Sequence, residues 1–197
     1  MGAGLISIIG PPAVGKTTLA EILSEALGAC MLREDYWGNP FLAGSFRGRE
    51  EFSLPSQLYF LFMRVKQLSA ENWPGVGLIV TDYGFCQDPL YAKVKLTAYD
   101  MQIYEQLRRR IEGFVVQPRV LIHLDAPAET LLARIEARGR DFEAGYDADY
   151  LEKLRRAHFD VPTPPDCAKL SVDCEQIDLL DAASRKKIME QVREIVS

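Results

Sequence analysis

The sequence predicts an α/β fold in which a five-stranded parallel sheet carries helices on both faces. Two observations predict this class. Short apolar runs of strand length alternate along the chain with longer segments of helical periodicity. A glycine-containing loop also joins the first apolar run directly to the first helical segment. With 197 residues, of which 48% are hydrophobic and 26% charged, we expect a single globular domain over residues 1–197.

Five apolar runs are predicted to be strands. The first four are short and nearly continuous in apolar residues, which is typical of buried parallel strands, and the fifth is a weaker signal. The predicted strands cover residues 5–9, 29–34, 77–82, 119–125 and 169–173.

Helical periodicity marks the segments between these strands. The first segment repeats leucine and isoleucine at helical spacing and stops at Gly28, and the last two segments each open with an aspartate suited to the N-cap. The predicted helical segments cover residues 16–27, 49–72, 98–114, 128–138, 147–159 and 181–196.

Charge and cysteine content exclude several classes of protein. A net charge of −5 argues against a general nucleic-acid binder, and no apolar run reaches the length of a membrane span. The N-terminal residues lack the basic start and cleavage region of a signal peptide, and the four cysteines show no C-x-x-C spacing. We therefore expect a cytoplasmic protein with reduced thiols that binds small molecules rather than nucleic acid or membrane.

Residues 10–18, "GPPAVGKTT", match the pattern G-x-x-x-x-G-K-[ST] between a strand and a helix, as a phosphate-binding loop (P-loop) requires. Its backbone N–H groups and the helix N-terminus would face phosphate oxygens. We expect Lys16 to reach the β- and γ-phosphates of a nucleoside triphosphate and the Thr17 hydroxyl to contact Mg²⁺. The ATP-binding residues predicted in this loop are Gly10, Pro11, Pro12, Ala13, Val14, Gly15, Lys16, Thr17 and Thr18.

An arginine cluster, "RIEARGRDFE", follows the fourth strand at residues 134–143. Ligands of open parallel sheets bind beyond the carboxyl ends of the strands, so an arginine-bearing segment here could close over the phosphates and exclude water. The alternative is a solvated helix end paired with Glu136 and Glu143. Together with the P-loop, the cluster favours a lid over about residues 134–146 of a small-molecule kinase. Its ATP-binding arginines are Arg134, Arg138 and Arg140.

Four further stretches fit one known family. "NPFL" at 39–42 follows an E-x-x-x-x-N-P spacing, and "FSLPSQLYFLFMR" at 52–64 is similar to F-x-x-x-Q-x-x-x-L-x-x-R with one extra residue. "TDYGFCQD" stands at 81–88, and "YLEKLRRAHFD" follows the lid. With the R-x-x-x-R-x-R-x-x-E lid, these stretches resemble the deoxynucleoside kinase family. Its members transfer the γ-phosphate of ATP to the 5′-hydroxyl of a deoxynucleoside.

The resemblance implies roles on the acceptor side. Glu34 stands where the family has its general base, and a carboxylate there can accept the 5′-hydroxyl proton. Gln57 offers both a donor and an acceptor to a nucleobase, with Arg64 two helical turns further on and Asp88 placed to pair with it. Glu143 matches the lid glutamate that bonds the sugar 3′-hydroxyl.

The resemblance also implies the cofactor and the assembly. ATP with Mg²⁺ would be the phosphate donor, the metal-side residues would be Thr17 and Asp82, and two copies of the chain would form a homodimer. The predicted catalytic residues are Lys16, Glu34, Arg138 and Arg140.

Two acceptor-side positions depart from the family pattern. Tyr83 stands where the family has an arginine that helps to hold the catalytic glutamate, and Phe46 stands where it usually has a tyrosine that bonds the sugar. Both are retained here as predicted substrate-binding positions. If the missing guanidinium limits catalysis, Tyr83→Arg should raise turnover.

We therefore expect ATP-dependent phosphorylation of a deoxynucleoside at its 5′-hydroxyl. An Arg64–Asp88 pair suits the polar edges of purines or cytosine better than the methyl group of thymine, so purine deoxynucleosides or deoxycytidine should be favoured over thymidine. One alternative is a nucleoside-monophosphate kinase, in which Arg47 and Arg49 would hold the acceptor's phosphate. Another is a non-catalytic family member that binds ATP, which the departures at Phe46 and Tyr83 would favour.

Overall fold

The computed structural model describes residues 4–73, 75, 77–143 and 145–196, so Met1–Ala3, Ser197 and positions 74, 76 and 144, the last of these within the predicted lid, lie outside the described residues. The five predicted strands form one parallel sheet in the order β2-β3-β1-β4-β5, which confirms the predicted sheet. The strands are β1 (Gly4–Ile9), β2 (Cys30–Leu32), β3 (Leu78–Thr81), β4 (Val120–Asp125) and β5 (Ala168–Asp173).

Helices occupy the connections between these strands. In the described ranges they are α1 (Lys16–Leu27), α2 (Leu42–Phe46), α3 (Ser53–Leu68), α4 (Asp88–Lys95), α5 (Ala98–Ile111), α6 (Ala128–Arg138), α7 (Ala148–Phe159) and α8 (Ala182–Val196). The segment predicted as helical over 49–72 is α3 flanked by 3₁₀ turns at Glu50–Phe52 and Ala70–Asn72. The short helices α2 and α4 were not predicted. No helix among the described residues is both long and apolar enough to cross a bilayer.

Residues of β1 alternate between two apolar layers, which explains why the whole strand is buried. Ile6 and Ile8 share a buried cluster with residues of α1, α6 and α8. Leu5 lies in a second cluster with Leu68 of α3, and Ile9 lies in a third with Leu154 of α7. The sheet is thus covered by helices on both faces, as the sequence predicts.

Because all five strands are parallel, their carboxyl ends lie along one edge of the sheet. The P-loop follows β1 at that edge, Glu34 follows β2, and Asp82 follows β3. The helix α6, which carries Arg134 and Arg138, begins three residues after Asp125 at the end of β4. The topology therefore brings the predicted phosphate, base and lid residues to one place.

Candidate active site

The P-loop curls around the ammonium group of Lys16. Gly10 and Gly15 adopt φ values of 146° and 111°, which L-residues with a side chain rarely reach. A Cβ on Gly10 would also lie 2.4 Å from the carbonyl oxygen of Leu124. Lys16 Nζ donates to the carbonyl oxygens of Gly10 and Pro11, both at 2.8 Å. The glycines therefore allow a tight loop whose lysine is held at its centre.

Burial makes the charge of Lys16 sensitive to an incoming anion. The side chain is buried, and desolvation lowers the pKa of Lys16 to about 8, against the opposing influence of the Glu34 and Asp82 carboxylates. A phosphate group that enters the loop would favour the charged ammonium, because an opposite charge raises the pKa of a lysine. The site is thus built to gain electrostatic free energy when a polyphosphate binds.

Asp82 joins the P-loop helix to the loop after β2. Thr17 Oγ1 donates to Asp82 Oδ2 at 2.7 Å, and the backbone N–H of Glu34 donates to Asp82 Oδ1 at 2.9 Å. Burial raises the pKa of Asp82, while these two hydrogen bonds oppose the shift. The hydroxyl and carboxylate are hard oxygen donors of the kind that Mg²⁺ prefers.

A divalent cation at this place would need ligands from the substrate. Among the described residues, no group of three or more His, Cys, Asp and Glu side chains could hold a metal ion. Magnesium is commonly held by one or two carboxylates together with substrate phosphates. Thr17 and Asp82 fit that arrangement beside the P-loop.

A buried ion-pair network links Glu34, the predicted general base, to the residues predicted to contact the nucleobase. Arg64 Nε donates to Glu34 Oε1 at 2.9 Å, and the guanidinium also pairs with Asp88. The hydroxyl of Tyr104 donates to Asp88 Oδ2 at 2.9 Å. The three charged side chains are at most 6% exposed. The Arg64–Asp88 pair was expected, whereas the contact between Arg64 and Glu34 was not.

Burial and ion pairing shift the pKa of Arg64 in opposite directions. Desolvation is the largest influence and lowers the pKa of Arg64, but Glu34, Tyr104 and Tyr36 together raise that pKa above its usual value. Glu34 also forms a hydrogen bond with Tyr36, whose pKa is raised above its usual value by burial first and by this carboxylate second. Glu34 is thus fixed between a cation and a phenol at the end of β2.

The lid arginines contact both the P-loop and the lid glutamate. Arg134 donates to the carbonyl oxygens of Val14 and Cys174, each at 3.4 Å. Arg138 Nε donates to Glu143 Oε2 at 2.7 Å, and a second contact joins the same two side chains. Arg140 lies 4.0 Å from Glu143 Oε1. The ion pair between Arg138 and Glu143 was not predicted, because the sequence indicates a different ligand for each of the two side chains.

These elements enclose a cavity of about 320 Å³ between the P-loop, α3, α4 and the lid, which we call the central cavity. Its volume suits a small molecule. The predicted site residues that line it are Pro12, Ala13, Gly15, Lys16, Thr17, Thr18, Glu34, Phe46, Gln57, Arg64, Arg134, Arg138, Arg140 and Glu143. Gly10, Pro11, Val14, Asp82 and Asp88 are not lining residues, but each bonds to a residue that is.

Tyr83 does not line the central cavity, so the structure gives no support to the prediction that it contacts the acceptor. Its side chain is fully buried in the apolar cluster of Leu5 and Leu68, and its hydroxyl donates to Gln67 Oε1 at 2.7 Å. Its ring centroid lies 5.7 Å from the guanidinium carbon of Arg64. The residue directly after Asp82 therefore packs in the apolar core beside Arg64.

The arginines that a nucleoside-monophosphate kinase would need are not in the central cavity. Arg47 and Arg49 are exposed, and Arg49 pairs with Glu51 and stacks on Phe52. The arginines among the described lining residues are Arg64 and the lid arginines Arg134, Arg138 and Arg140.

Several lining residues were not predicted from the sequence. Tyr36 lies two residues after Glu34, and its position near the predicted base was a usable signal. Tyr91 and Lys95 lie on α4, which the sequence analysis did not recognise as a helix. Tyr146 at the end of the lid and Tyr150 on α7 stack on each other, with ring centroids 5.0 Å apart. The central cavity thus has a largely aromatic wall.

Comparisons with known proteins agree with this geometry. The family model described as "Deoxynucleoside kinase" matches residues 6–197. A deoxyguanosine kinase of Bacillus subtilis is 30% identical, with 98% of each chain covered. A deoxyadenosine/deoxycytidine kinase of the same organism is 29% identical, with 98% of this chain and 93% of that protein covered. The structure of deoxyadenosine kinase from M. mycoides with dCMP and dCDP superposes with a TM-score of 0.80 at 24% identity, and covers 96% of this chain and 99% of that one.

Proposed function

The chain belongs to the deoxynucleoside kinase family and is a phosphotransferase, and we propose that it transfers the γ-phosphoryl group of ATP to the 5′-hydroxyl of a 2′-deoxynucleoside. One observation carries the proposal. The lining of the central cavity combines Lys16 and the lid arginines with Glu34, Gln57 and Arg64. A triphosphate bound at the P-loop and a neutral acceptor can therefore meet at this cavity.

The phosphate end supplies positive charge to the transferring group. Phosphoryl transfer is catalysed mainly by positioning and electrostatic stabilisation. Lys16 would contact the β- and γ-phosphates, and Arg138 and Arg140 would neutralise charge as the γ-phosphoryl group moves. Thr17 and Asp82 would hold Mg²⁺, which offsets phosphate charge when it is bound.

Glu34, on the acceptor side, would supply the general base. Glu34 lines the cavity, and Arg64 fixes its carboxylate through Oε1. A carboxylate held in this way would accept the proton of the 5′-hydroxyl as the new P–O bond forms. Glu143 would bond the sugar at its 3′-hydroxyl from the lid side.

The nucleobase would be read by the buried polar set of Gln57, Arg64 and Asp88. Arg64 is a donor and Asp88 an acceptor, so their pair can meet the ring nitrogens, amino groups or carbonyl groups of purines and cytosine. The methyl group of thymine would face this polar wall and gain little. The similar Bacillus subtilis proteins are deoxyguanosine and deoxyadenosine/deoxycytidine kinases, which supports the same preference.

The test is the kcat/KM of the purified protein with ATP and each of deoxyguanosine, deoxyadenosine, deoxycytidine and thymidine. Thymidine would leave buried polar groups of the pocket unpaired, which costs more free energy than the loss of an apolar contact. We therefore expect kcat/KM for the preferred deoxynucleoside to exceed that for thymidine by more than about tenfold. Replacement of Arg64 and Asp88 together by leucine and alanine should shrink that ratio, even though kcat also falls for all four. Thymidine as the best substrate would refute this reading of the pocket.

The resemblance implies the assembly, and the cysteine spacing and the N-terminal sequence imply the location. We propose a homodimer in the cytoplasm, and light scattering of the purified protein would show a mass of about 44 kDa, since the chain is 22.2 kDa. A monomer under the conditions of the kinetic assay would contradict the dimer without affecting the proposed reaction.

A further inference from the structure

Lys95 brings a positive charge to the aromatic wall of the central cavity. It is the last residue of α4, and its Nζ lies 4.1 Å from the ring centroid of Phe46 and 5.5 Å from that of Tyr150. Within the described residues, its ammonium has no carboxylate within 4 Å and no hydrogen-bond acceptor. Lys95 thus differs from the lid arginines Arg134 and Arg138, which bond to protein oxygens.

An ammonium in this environment gains from a ligand that offers an oxygen. Lys95 is half-buried, and desolvation alone lowers its pKa. The rings of Phe46 and Tyr150 attract the charge, but ring faces cannot accept the three N–H groups as an oxygen lone pair does. Moving such a donor out of water is costly unless a hydrogen bond replaces the lost hydration. The side chain is therefore built to meet an oxygen atom of the bound molecule.

The surroundings of Lys95 indicate which part of the ligand lies nearby. Phe46 packs edge-on against Tyr146 at 5.3 Å, and the backbone N–H of Tyr146 donates to the carbonyl oxygen of Glu143. Lys95 is therefore on the lid side of the acceptor end, next to the segment that carries Glu143. The transferred phosphoryl group belongs near Lys16 and the nucleobase near Arg64, which leaves the sugar for this wall.

We infer that Lys95 donates a hydrogen bond to the 3′-hydroxyl oxygen of the bound deoxynucleoside. This inference rests on the proposed function. The 3′-hydroxyl group can donate one hydrogen bond and accept others through its oxygen lone pairs. The Glu143 carboxylate would accept the hydrogen bond that the hydroxyl donates, while the Lys95 ammonium donates one to the hydroxyl oxygen. Phe46 brings a ring but no polar group to the same wall, and Lys95 supplies the polar contact there. Lys95 is thus a specificity-determining residue for acceptors that carry a 3′-hydroxyl.

The test compares Lys95→Met with Lys93→Met, using ATP and two acceptors that differ only at the 3′-position. Lys93 is exposed on the same helix and does not line the central cavity, so it is the matched control. The acceptors are a 2′-deoxynucleoside and the corresponding 2′,3′-dideoxynucleoside. For Lys95→Met we expect kcat/KM to fall about ten- to a hundredfold with the 2′-deoxynucleoside, which corresponds to the loss of one charged hydrogen bond. We expect little change with the 2′,3′-dideoxynucleoside. ATP KM should stay unchanged.

The controls separate this inference from a folding defect and from the proposed function. Lys95→Gln, whose amide can still donate a neutral hydrogen bond, should lose less than Lys95→Met; Lys95→Arg should keep most of the discrimination, and Lys93→Met should match the parent. If the neutral variants have the same ratio of kcat/KM between the two acceptors as the parent, Lys95 has no role at the 3′-hydroxyl. In that case the activity of the parent protein still supports the proposed kinase function. A parent that phosphorylates no deoxynucleoside would refute the proposed function and this inference with it.

Discussion

Mild acid should destabilise this protein before its carboxylates are protonated, because His158 is buried in its neutral form. The side chain lies on α7 with no solvent exposure, and Nδ1 is 2.7 Å from the carbonyl oxygen of Leu154. A carbonyl only accepts, so Nδ1 carries the proton and Nε2 carries the lone pair. Nε2 has no hydrogen-bond partner among the described residues. A second proton would therefore create a buried charge without a partner.

The magnitude follows from the pKa of His158 in the folded and unfolded states. Burial lowers this pKa to about 3, the bond to Leu154 opposes the shift, and the charges of Lys16 and His123 add to it. In the unfolded chain His158 titrates at about pH 6.5, so the unfolded state binds more protons than the folded state between about pH 3 and about pH 6.5. The contribution of His158 to stability is therefore complete above about pH 6.5 and is lost as the pH falls below it. From about pH 7.5 to about pH 5.0 the loss from His158 is about 2 kcal/mol.

Urea unfolding at these two pH values measures the loss, and His158→Asn provides the comparison. The asparagine amide can still donate to Leu154, but it carries no charge at either pH. His123, which stacks on His158 at 6.3 Å and whose pKa burial also lowers, contributes in the same direction in both proteins. The variant should therefore lose about 2 kcal/mol less than the parent. Equal losses in the two proteins would show that His158 is not held neutral.

Three further substitutions test separate parts of the site. Lys16→Ala should abolish phosphoryl transfer and leave the urea midpoint close to that of the parent, and unchanged turnover would remove the P-loop from the mechanism. Arg138→Ala should lower kcat more than it raises the KM for ATP, since arginines of this kind can be worth about 10³–10⁵ in rate; the opposite pattern would make the lid a binding clamp. Tyr83→Arg, which buries a second guanidinium beside Arg64, should lower the free energy of unfolding by about 3–5 kcal/mol, and a folded variant with higher turnover would restore the original expectation for this position.

The features that could be predicted from the sequence have local causes. Four of the five strands are nearly continuous apolar runs, and the P-loop is a contiguous pattern between a strand and a helix. Helix α4 was missed because it has only eight residues and a proline at its second position, too short a stretch for a clear 3.6-residue period. Its side chains Tyr91 and Lys95 were missed with it.

The parts of the site that escaped prediction depend on contacts between distant segments. Glu34 and Arg64 are 30 residues apart, and their contact is set by how α3 packs beside the end of β2. The resemblance gave Tyr83 a position in a motif but not the direction of its side chain. That direction is set by the apolar cluster beneath the sheet edge and by the hydroxyl acceptor on Gln67.

The most direct test of the central claim is the identity of the product formed from ATP, Mg²⁺ and deoxyguanosine, deoxyadenosine or deoxycytidine. Chromatography and mass spectrometry against authentic standards distinguish a 5′-monophosphate from its 3′-isomer, and the matching 2′,5′-dideoxynucleoside is the control that lacks the acceptor hydroxyl. We predict the deoxynucleoside 5′-monophosphate, formed in step with ADP, and no product from the control. ADP without a phosphorylated nucleoside, phosphate on the 3′-oxygen, or activity only toward nucleoside monophosphates would contradict the account.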